Sequence, residues 1–371
     1  MPAATFAASW EEIMKATSLT VAALATLLAS ASVGTASADP LCKKEDIRFV
    51  NSMREIAQPY HGDLDKGGRL FLQSVGLSDK QYVLQLNQGD SDKQVSLMRA
   101  VLASNPNCSI FNVEPNNLPA VQLMVKTANQ TGAWIVTHWS HPDGFYPYDG
   151  NDQWIAHIGV NSFDAGVSIS QAMVKAMNGQ GGIVALQGIL DNKPAQLRFA
   201  GLQKVLGDNP GVTLLDQQTA NWDRSQAFPI VQAWLSKYGD KIKGIWAAND
   251  DMALGAVEAL RAQGLAGKIP VVGADGIPEA IQAVKKGEMT ATVSSDAYYQ
   301  GSIGFAMGYC VLTGQAPTPA SWTKEQRNFN LRLIAITKDN VDQYLNPPPA
   351  SAYAGDWACD KLWSRDTGPA D

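Results

Sequence analysis

The chain has 371 residues, of which 45% are hydrophobic and 17% charged, and its formal net charge is −6 at pH 7. A surface that is negative overall argues against nucleic acids and anionic membranes as partners. The length exceeds what one hydrophobic core usually covers, so the chain is expected to form two domains.

The N-terminus is typical of an export signal, which we expect to occupy residues 1–38. Met14-Lys15 supplies a short positive region, and Leu19–Leu28 is an apolar segment too short to span a membrane. Ala36-Ser37-Ala38 is a cleavage signal, so a periplasmic protein that begins at Asp39 is expected. Whether translation starts at the first or the fourteenth residue stays open.

Apolar runs typical of strands alternate with helical patterns from residue 47 to residue 295, which predicts β-α-β units and parallel sheets. The first half predicts, in chain order, strand Ile47–Asn51, helix Lys66–Val75, strand Tyr82–Asn87, helix Asp92–Ser104, strand Ser109–Val113, helix Leu118–Thr131, strand Trp134–His138, strand Ile155–Val160 and helix Asp164–Asn178. The second half predicts strand Gly182–Gln187, helix Pro194–Leu206, strand Val212–Gln217, helix Ser225–Tyr238, strand Gly244–Ala248, helix Met252–Gln263, strand Val271–Ala274, helix Pro278–Lys286 and strand Ala291–Ser294. Two successive halves of similar layout predict two lobes with a cleft between them.

Three features follow these halves. A helix is expected near Gln300–Leu312 and a strand near Asn330–Ile336. Residues 346–371 open with three prolines and end polar, so we expect a tail that crosses the surface and is held by Cys359.

The cysteine count fits an exported protein, because four cysteines are an even number suited to an oxidising compartment. Four cysteines allow three pairings. Cys42 and Cys108 each precede a short apolar run, and if those runs are neighbouring parallel strands both cysteines lie at one end of the sheet. The favoured pairs are then Cys42–Cys108 and Cys310–Cys359. A metal site is disfavoured because no paired C-x-x-C spacing occurs.

The stretch from Gly244 to Gly276 is the most informative part of the sequence. Two short apolar runs in it end at Asn249 and Asp275, close to the start of a helical pattern. In an open parallel sheet that point lies at the ligand-binding edge. The alternative roles are a helix cap for Asn249, for which Asp250 and Asp251 are better suited, and a turn position for Asp275.

These residues resemble a known family. The run Asn249-Asp-Asp-Met-Ala-Leu-Gly-Ala256, then Val272-Gly-Ala-Asp-Gly276, then Ala291-Thr-Val293 is similar to the ribose-type (type I) periplasmic binding proteins of bacterial sugar ABC importers. LacI-type repressors share the pattern but require an N-terminal helix-turn-helix, where this chain has an export signal. The resemblance implies an α/β fold of two doubly wound Rossmann-like lobes joined by a three-crossing hinge.

The resemblance also implies domain limits and a function. The expected hinge crossings lie near residues 160–161, 295–296 and 330–331. The implied domains are a signal peptide (1–38), an N-terminal lobe (39–160 plus 296–330), a C-terminal lobe (161–295 plus 331–345) and a C-terminal tail (346–371). The implied function is a monomeric solute receptor that closes around a sugar or sugar alcohol and then docks on an inner-membrane ABC permease, with no cofactor, metal or nucleic acid.

Two other functions stay open. A ligand sensor that feeds a chemoreceptor or a sensor kinase would share this fold and site. A carbohydrate-processing enzyme is the more remote alternative, because the sequence has no G-x-S-x-G elbow and no phosphate-binding glycine loop.

The family's ligand-binding positions carry over residue by residue. The implied set is Asn249, Asp275, Trp222, Asn112, Trp139, Ser140, Gln196, Arg198, Ser295 and Tyr60. Trp139-Ser140 replaces the Asp-Arg pair of ribose-type receptors, Gln196 stands where the family has an arginine with Arg198 two residues on, and Ser295 stands where it often has glutamine. These departures favour a ligand with more ring contact and fewer charged clamps than ribose, or a linear polyol.

The loop from His138 to Asp149 is rich in aromatic residues and is longer than the family usually needs. We expect it to form an aromatic lid near the mouth of the cleft. The alternative is a metal site at His138, His141 and Asp143, which is disfavoured because three ligands within six residues rarely converge without a fourth.

Overall fold

The computed structural model describes residues 39–346, 349–368 and 370. The predicted export signal and its cleavage site lie outside these residues. Within the described part of the chain, no helix combines the length and the apolar character needed to cross a bilayer.

The first of two six-stranded sheets is built mainly from the first half of the chain. Its strands are β1 (Arg48–Met53), β2 (Tyr82–Leu86), β3 (Ser109–Val113), β4 (Trp134–His138), β5 (Trp154–Val160) and β11 (Asn328–Leu331), in the order β11-β5-β4-β3-β1-β2. All neighbouring strands are parallel. The first helices are α1 (Pro59–Ser74), α2 (Ser91–Leu102) and α3 (Leu118–Thr131). Strands β3, β4 and β5 are buried along their whole length, as expected where helices cover both faces.

The second sheet repeats this layout. Its strands are β6 (Gly181–Gln187), β7 (Val212–Thr219), β8 (Ile242–Ala247), β9 (Val271–Val272), β10 (Ala291–Ser294) and β12 (Ile334–Thr337), in the order β12-β10-β9-β8-β6-β7. The remaining helices are α4 (Ser162–Ala176), α5 (Lys193–Asp208), α6 (Arg224–Tyr238), α7 (Asp250–Ala262), α8 (Pro278–Lys286), α9 (Ala297–Leu312) and α10 (Lys324–Arg327). Strand β12 is antiparallel to β10, and the other pairs are parallel. The predicted fold of two doubly wound α/β sheets is confirmed.

The chain passes between the sheets three times. It leaves the first sheet after Val160, returns to it after Ser294, and leaves it again after Leu331. The first two passages lie where the sequence predicts them. The third lies at Arg332-Leu333, slightly beyond the predicted position, because the single strand predicted near Asn330–Ile336 is two short strands, β11 and β12, in different sheets.

Backbone contact between helices brings the site-bearing segments close together. A Cβ added to Gly67 in α1 would lie 2.0 Å from the carbonyl oxygen of Tyr298, and one added to Gly301 in α9 meets α1 equally closely. In the second lobe, a Cβ on Gly166 in α4 would lie 2.1 Å from the carbonyl oxygen of Arg198 in α5. Glycine is required at these positions because any larger residue would separate the helices.

Both predicted disulfides are present. Cys42 pairs with Cys108 and Cys310 with Cys359, so no cysteine is free. The reasoning for the first pair holds, because β1 and β3 are neighbouring parallel strands in which Arg48 is paired with Ser109.

Candidate functional site

The carboxyl ends of strands from both sheets face a shared cavity that opens to solvent, with about 600 Å³ of empty space when its open mouth is included. Its lining residues are Arg54, Gln58, Tyr60, His61, Glu114, Pro115, Asn116, Trp139, Asn192, Pro194, Arg198, Trp222, Asn249 and Asp275. This is the position at which open α/β sheets bind ligands, because polar loop residues meet there at the ends of buried strands.

A buried ion pair forms one part of the wall. Asp275 follows β9, and its backbone N–H donates to Val293 at 2.7 Å. Nη1 of Arg198 donates to Oδ1 of Asp275 at 3.2 Å and to the carbonyl oxygen of Ala248 at 2.7 Å. Burial raises the pKa of Asp275 to about 6, although the Arg198 guanidinium opposes the rise. The carboxylate is therefore charged at neutral pH and titrates just below it.

Two indole rings flank the Arg198 guanidinium. The Cζ atom of Arg198 lies 5.4 Å from the ring centroid of Trp139 and 5.7 Å from that of Trp222. Both tryptophans have a positive φ of 68°, a backbone conformation that is uncommon for residues other than glycine. A Cβ on Gly188 would lie 2.2 Å from the Trp222 ring, so only glycine leaves room for that ring. The rings belong to different lobes and supply flat apolar surface beside a charge.

Asn249 has two roles. Its Oδ1 accepts from the N–H of Met252 at 3.0 Å and so caps α7, and its side chain also lines the cavity. Asn249 is therefore both a helix cap and a cavity-lining residue, the two roles that the sequence left as alternatives.

The predicted capping role of Asp250 and Asp251 is wrong. Oδ2 of Asp250 accepts from the N–H of Ile277 at 3.0 Å and from Oγ1 of Thr292 at 2.9 Å, whereas Asp251 pairs with Arg224. Asp250 is fully buried, and burial, followed by the nearby charge of Asp275, raises its pKa to about 7. Asp250 therefore links the start of α7 to β10 and to the residue before α8, and it does not cap α7.

The first lobe contributes a second ion pair, which the sequence did not indicate. Nε2 of His61 lies 2.7 Å from Oε2 of Glu114. Burial disfavours charge on both groups, but their attraction is stronger, so the pKa of His61 is raised and that of Glu114 is lowered. Next to this pair, the hydroxyl of Tyr60 donates to Oε1 of Gln300. Burial raises the pKa of Tyr60 well above its ordinary value, so the phenol is neutral.

Six of the ten predicted site residues line the cavity: Tyr60, Trp139, Arg198, Trp222, Asn249 and Asp275. The other four lie outside it. Asn112 is buried behind the wall, where its Oδ1 lies 2.5 Å from Nε2 of His138. Ser140 is buried in its loop, and Ser295 is buried beside the Tyr60 hydroxyl.

Gln196 is the fourth residue outside the cavity. Its side chain is exposed and donates to the carbonyl oxygen of Leu190 at 2.9 Å. Gln196 and Arg198 stand two positions apart on α5, so they project to roughly opposite faces of the helix. Only Arg198 can therefore face the cavity.

The loop after β4 packs His141 and Phe145 against the first sheet, while its Asp143 contacts Lys193 of the second lobe, so the expected aromatic lid stays a prediction. The ring of His141 packs 4.4 Å from that of His157, and Phe145 packs 5.1 Å from Trp154, both on the first sheet. Trp139 is the loop's contribution to the cavity wall. In the described part of the chain, no cluster of three or more His, Cys, Asp or Glu side chains is placed to hold a metal ion.

Several lining residues were missed by the sequence argument, although one signal could have found some of them. Arg54 directly follows β1 and Glu114 directly follows β3, which is the position where ligand-binding residues gather. Gln58 was missed for a different reason. Its Nε2 donates to the carbonyl oxygen of Trp222 at 3.1 Å, a contact between the lobes that no local pattern encodes.

Comparison with known proteins identifies the family. Residues 71–316 match the family described as "Periplasmic binding protein domain". The chain is 36% identical over 179 residues to the xylitol-binding protein of Mycolicibacterium smegmatis, so it spans only about half of that relative (48% of each chain). It is 27% identical over 258 residues to the D-allose-binding periplasmic protein of Escherichia coli, covering 69% of this chain and 81% of that one.

A solved structure supports the same assignment. The crystal structure of a twin-arginine translocation pathway signal protein from Burkholderia phytofirmans has a TM-score of 0.81 and 38% sequence identity, covering 87% of this chain and 98% of that one. With the matched family, the two parallel sheets and the cavity between them, this chain belongs to the type I periplasmic sugar-binding proteins.

Proposed function

We propose that this protein is the solute receptor of an ABC importer and binds a sugar or sugar alcohol between its lobes. The observation that carries the proposal is the Arg198–Asp275 pair flanked by Trp139 and Trp222. The names of the relatives, which bind xylitol and D-allose, support this ligand class.

The chemistry of the wall suits neighbouring hydroxyl groups. A carboxylate accepts two hydrogen bonds from such a pair, a guanidinium donates two in parallel, and an amide does one of each. Asp275, Arg198 and Asn249 supply these groups, and the indole rings of Trp139 and Trp222 supply flat surface for the C–H faces of a sugar ring or carbon chain.

The binding step is hinge closure. Tyr60, His61 and Trp139 come from the first lobe, whereas Arg198 and Asp275 come from the second, so both lobes must meet around the ligand. We assign residues 39–160 plus 296–330 to the N-terminal lobe, residues 161–295 plus 331–345 to the C-terminal lobe and residues 346–371 to the tail. The strand membership of the two sheets supports the division into lobes, except that Leu331 ends β11 in the first sheet.

The role is capture and delivery of a solute, not catalysis. Both carboxylates of the cavity are held by cations, Asp275 by Arg198 and Glu114 by His61, and the relatives are binding proteins. The protein acts in the periplasm after loss of residues 1–38, as a monomer, and its closed form docks on an inner-membrane permease.

Thermal unfolding of residues 39–371 against a panel of pentitols, cyclitols, pentoses, hexoses, amino acids and nucleosides tests this function. A ligand at about 1,000 times its Kd stabilises the fold by about 4 kcal/mol. We expect a shift with a sugar or polyol that Asp275→Asn abolishes and that Asp240→Asn, a change at an exposed aspartate, leaves intact. A shift with amino acids or nucleosides alone contradicts the sugar assignment.

A further inference from the structure

The C-terminal segment, residues 349–368 and 370, is fixed to helix α9 of the first lobe. The Cys310–Cys359 disulfide is its covalent anchor. Nε1 of Trp357 donates to Oγ of Ser302 at 2.9 Å, and the ring of Tyr353 stacks on the ring of Tyr299 in α9 at 6.3 Å. These contacts hold the segment at a defined place on the first lobe.

From this anchor the segment reaches the second passage between the sheets, at Asp296. Nη1 of Arg365 donates to Oδ2 of Asp296 at 2.6 Å, and the hydroxyl of Tyr353 donates to Oδ1 at 2.9 Å. The same Oδ1 accepts from the N–H of Tyr299 and caps α9. Asp296 has a positive φ of 56°, a left-handed conformation that costs free energy in a residue other than glycine. The segment therefore stabilises a strained residue at the hinge.

The end of the segment runs beside the third passage. Asp366 forms an antiparallel bridge with Leu331. The N–H of Thr367 donates to the carbonyl oxygen of Asn330 at 3.0 Å, and the N–H of Asn330 donates to Gly368 at 2.8 Å. The segment thus extends the first sheet beyond its edge strand β11, at the point where the chain leaves for the second sheet.

The first passage is in contact as well. Gly159 lies one residue before the end of β5, and a Cβ added there would lie 3.0 Å from the Cβ of Ala370. One segment therefore touches the chain at or next to all three passages between the lobes.

The structure in which the segment makes these contacts is a closed one. Gln58 in the first lobe donates to Trp222 in the second, and Nζ of Lys193 in the second lobe lies 2.7 Å from Oδ1 of Asp143 in the first. Hinge opening requires changes of φ and ψ at a few residues in the connecting strands. A carboxylate held by three donors at Asp296 resists such changes.

We infer that the C-terminal segment is a strap across the hinge, that it favours the closed arrangement, and that Arg365 is the residue through which it acts. A strap of this kind raises ligand affinity without touching the ligand, because apparent affinity scales with the population of the binding-competent form.

A distance measurement on the ligand-free protein tests the strap. Ile56 and Leu190 are exposed, belong to opposite lobes, and stand two residues from the cavity-lining Gln58 and Asn192 respectively. All four native cysteines are in disulfides, so Ile56→Cys and Leu190→Cys would be the only thiols available for spin labels. We expect Arg365→Ala to shift the distance distribution to longer values. The control, Lys361→Ala, removes an exposed cation of the same segment and should leave the distribution unchanged.

Superimposable distributions for the parent protein and Arg365→Ala would overturn the inference, whatever ligand the protein binds. If Arg365→Ala does not fold, Tyr353→Phe removes one bond to Asp296 and keeps the ring, and the same comparison decides. A second measurement rests on the proposed function. With the sugar or polyol identified by the panel, Arg365→Ala should raise Kd by about 3- to 10-fold through faster dissociation, and an unchanged Kd contradicts the strap.

Discussion

Arg198 and Asp275 form an ion pair with almost no access to water, since their side chains are only 5% and 11% exposed. Each charge is therefore compensated mainly by the other and not by water. Removing one partner of such a pair leaves an uncompensated buried charge, which is far more costly than losing a surface ion pair. This relationship makes the pair the most sensitive point of the site.

Arg198→Met should abolish ligand binding and destabilise the fold. Methionine keeps the length of the side chain but leaves Asp275 without its cation, at a cost of about 3–5 kcal/mol. Calorimetric titration and urea unfolding measure the two effects. Lys204→Met removes a cation from the exposed face of the same helix and should change neither, whereas an Arg198→Met variant with parental affinity would contradict the assignment.

Ligand affinity should fall as the pH drops below about 6. In the proposed function Asp275 accepts hydrogen bonds from ligand hydroxyls in its charged form, and its pKa of about 6 means that it is protonated in acid. His61 also faces the cavity, but the attraction of Glu114 raises its pKa from the ordinary value, so it stays charged as the pH falls. Kd measured between pH 5 and pH 7.5 should rise toward acid, approaching tenfold per pH unit well below the pKa. A flat profile would contradict ionic binding by Asp275.

Asp250→Asn should stabilise the protein at neutral pH and have little effect near pH 4. The folded-state pKa of Asp250, about 7, lies above the value of about 3.9 for an unfolded chain. The folded state therefore binds a proton that the unfolded state releases, and this contribution to stability is lost as the pH rises from about 4 to 7. Asparagine stays neutral and keeps an oxygen acceptor for Ile277 and Thr292.

The free energy of unfolding, measured by urea titration at pH 4.5 and pH 7.5, gives the comparison. The advantage of Asp250→Asn over the parent should grow by about 2–4 kcal/mol across that interval. Asp240→Asn, at an exposed position, should show no such growth. An advantage that does not depend on pH would mean that Asp250 is charged throughout.

Gly166→Ala should weaken both the fold and ligand binding. The added methyl would lie 2.1 Å from the carbonyl oxygen of Arg198 and must push α5 away from α4, at a cost of about 1–3 kcal/mol. Gly207→Ala, on the same helix as Arg198, meets no atom within 4 Å and should be neutral or stabilising. Thermal unfolding and ligand titration are measured for both variants. Loss of stability and affinity in Gly166→Ala alone indicates displacement of Arg198, whereas the same loss in Gly207→Ala indicates a general effect of alanine.

The sequence predicted the order of strands and helices well, because buried parallel strands and amphipathic helices leave distinct patterns. It missed the start of α1 at Pro59, since the polar first turns of this helix carry little apolar periodicity. It also merged β11 and β12, because two short apolar strands separated by Arg332-Leu333 look like one.

Site residues that follow a strand could be predicted from the sequence. Site residues whose position depends on helix orientation or on packing between distant segments could not. Asn249 and Asp275 follow strands of the second sheet, so their position could be read from the pattern. The choice between Gln196 and Arg198 depends on which face of α5 turns inward, which the resemblance alone did not settle. The His61–Glu114 pair joins the first turn of α1 to the loop after β3, two segments distant in sequence, so no local pattern predicted it.

Asn249 and Asn192 lie on the same wall and both precede a helix, but only Asn249 caps its helix with the side chain. A mutational library aimed at new ligand preferences would therefore recover few folded members at position 249 and many at position 192. In a biosensor built on this scaffold, Asn192 is the position to randomise, and Asn249 is the position to leave alone.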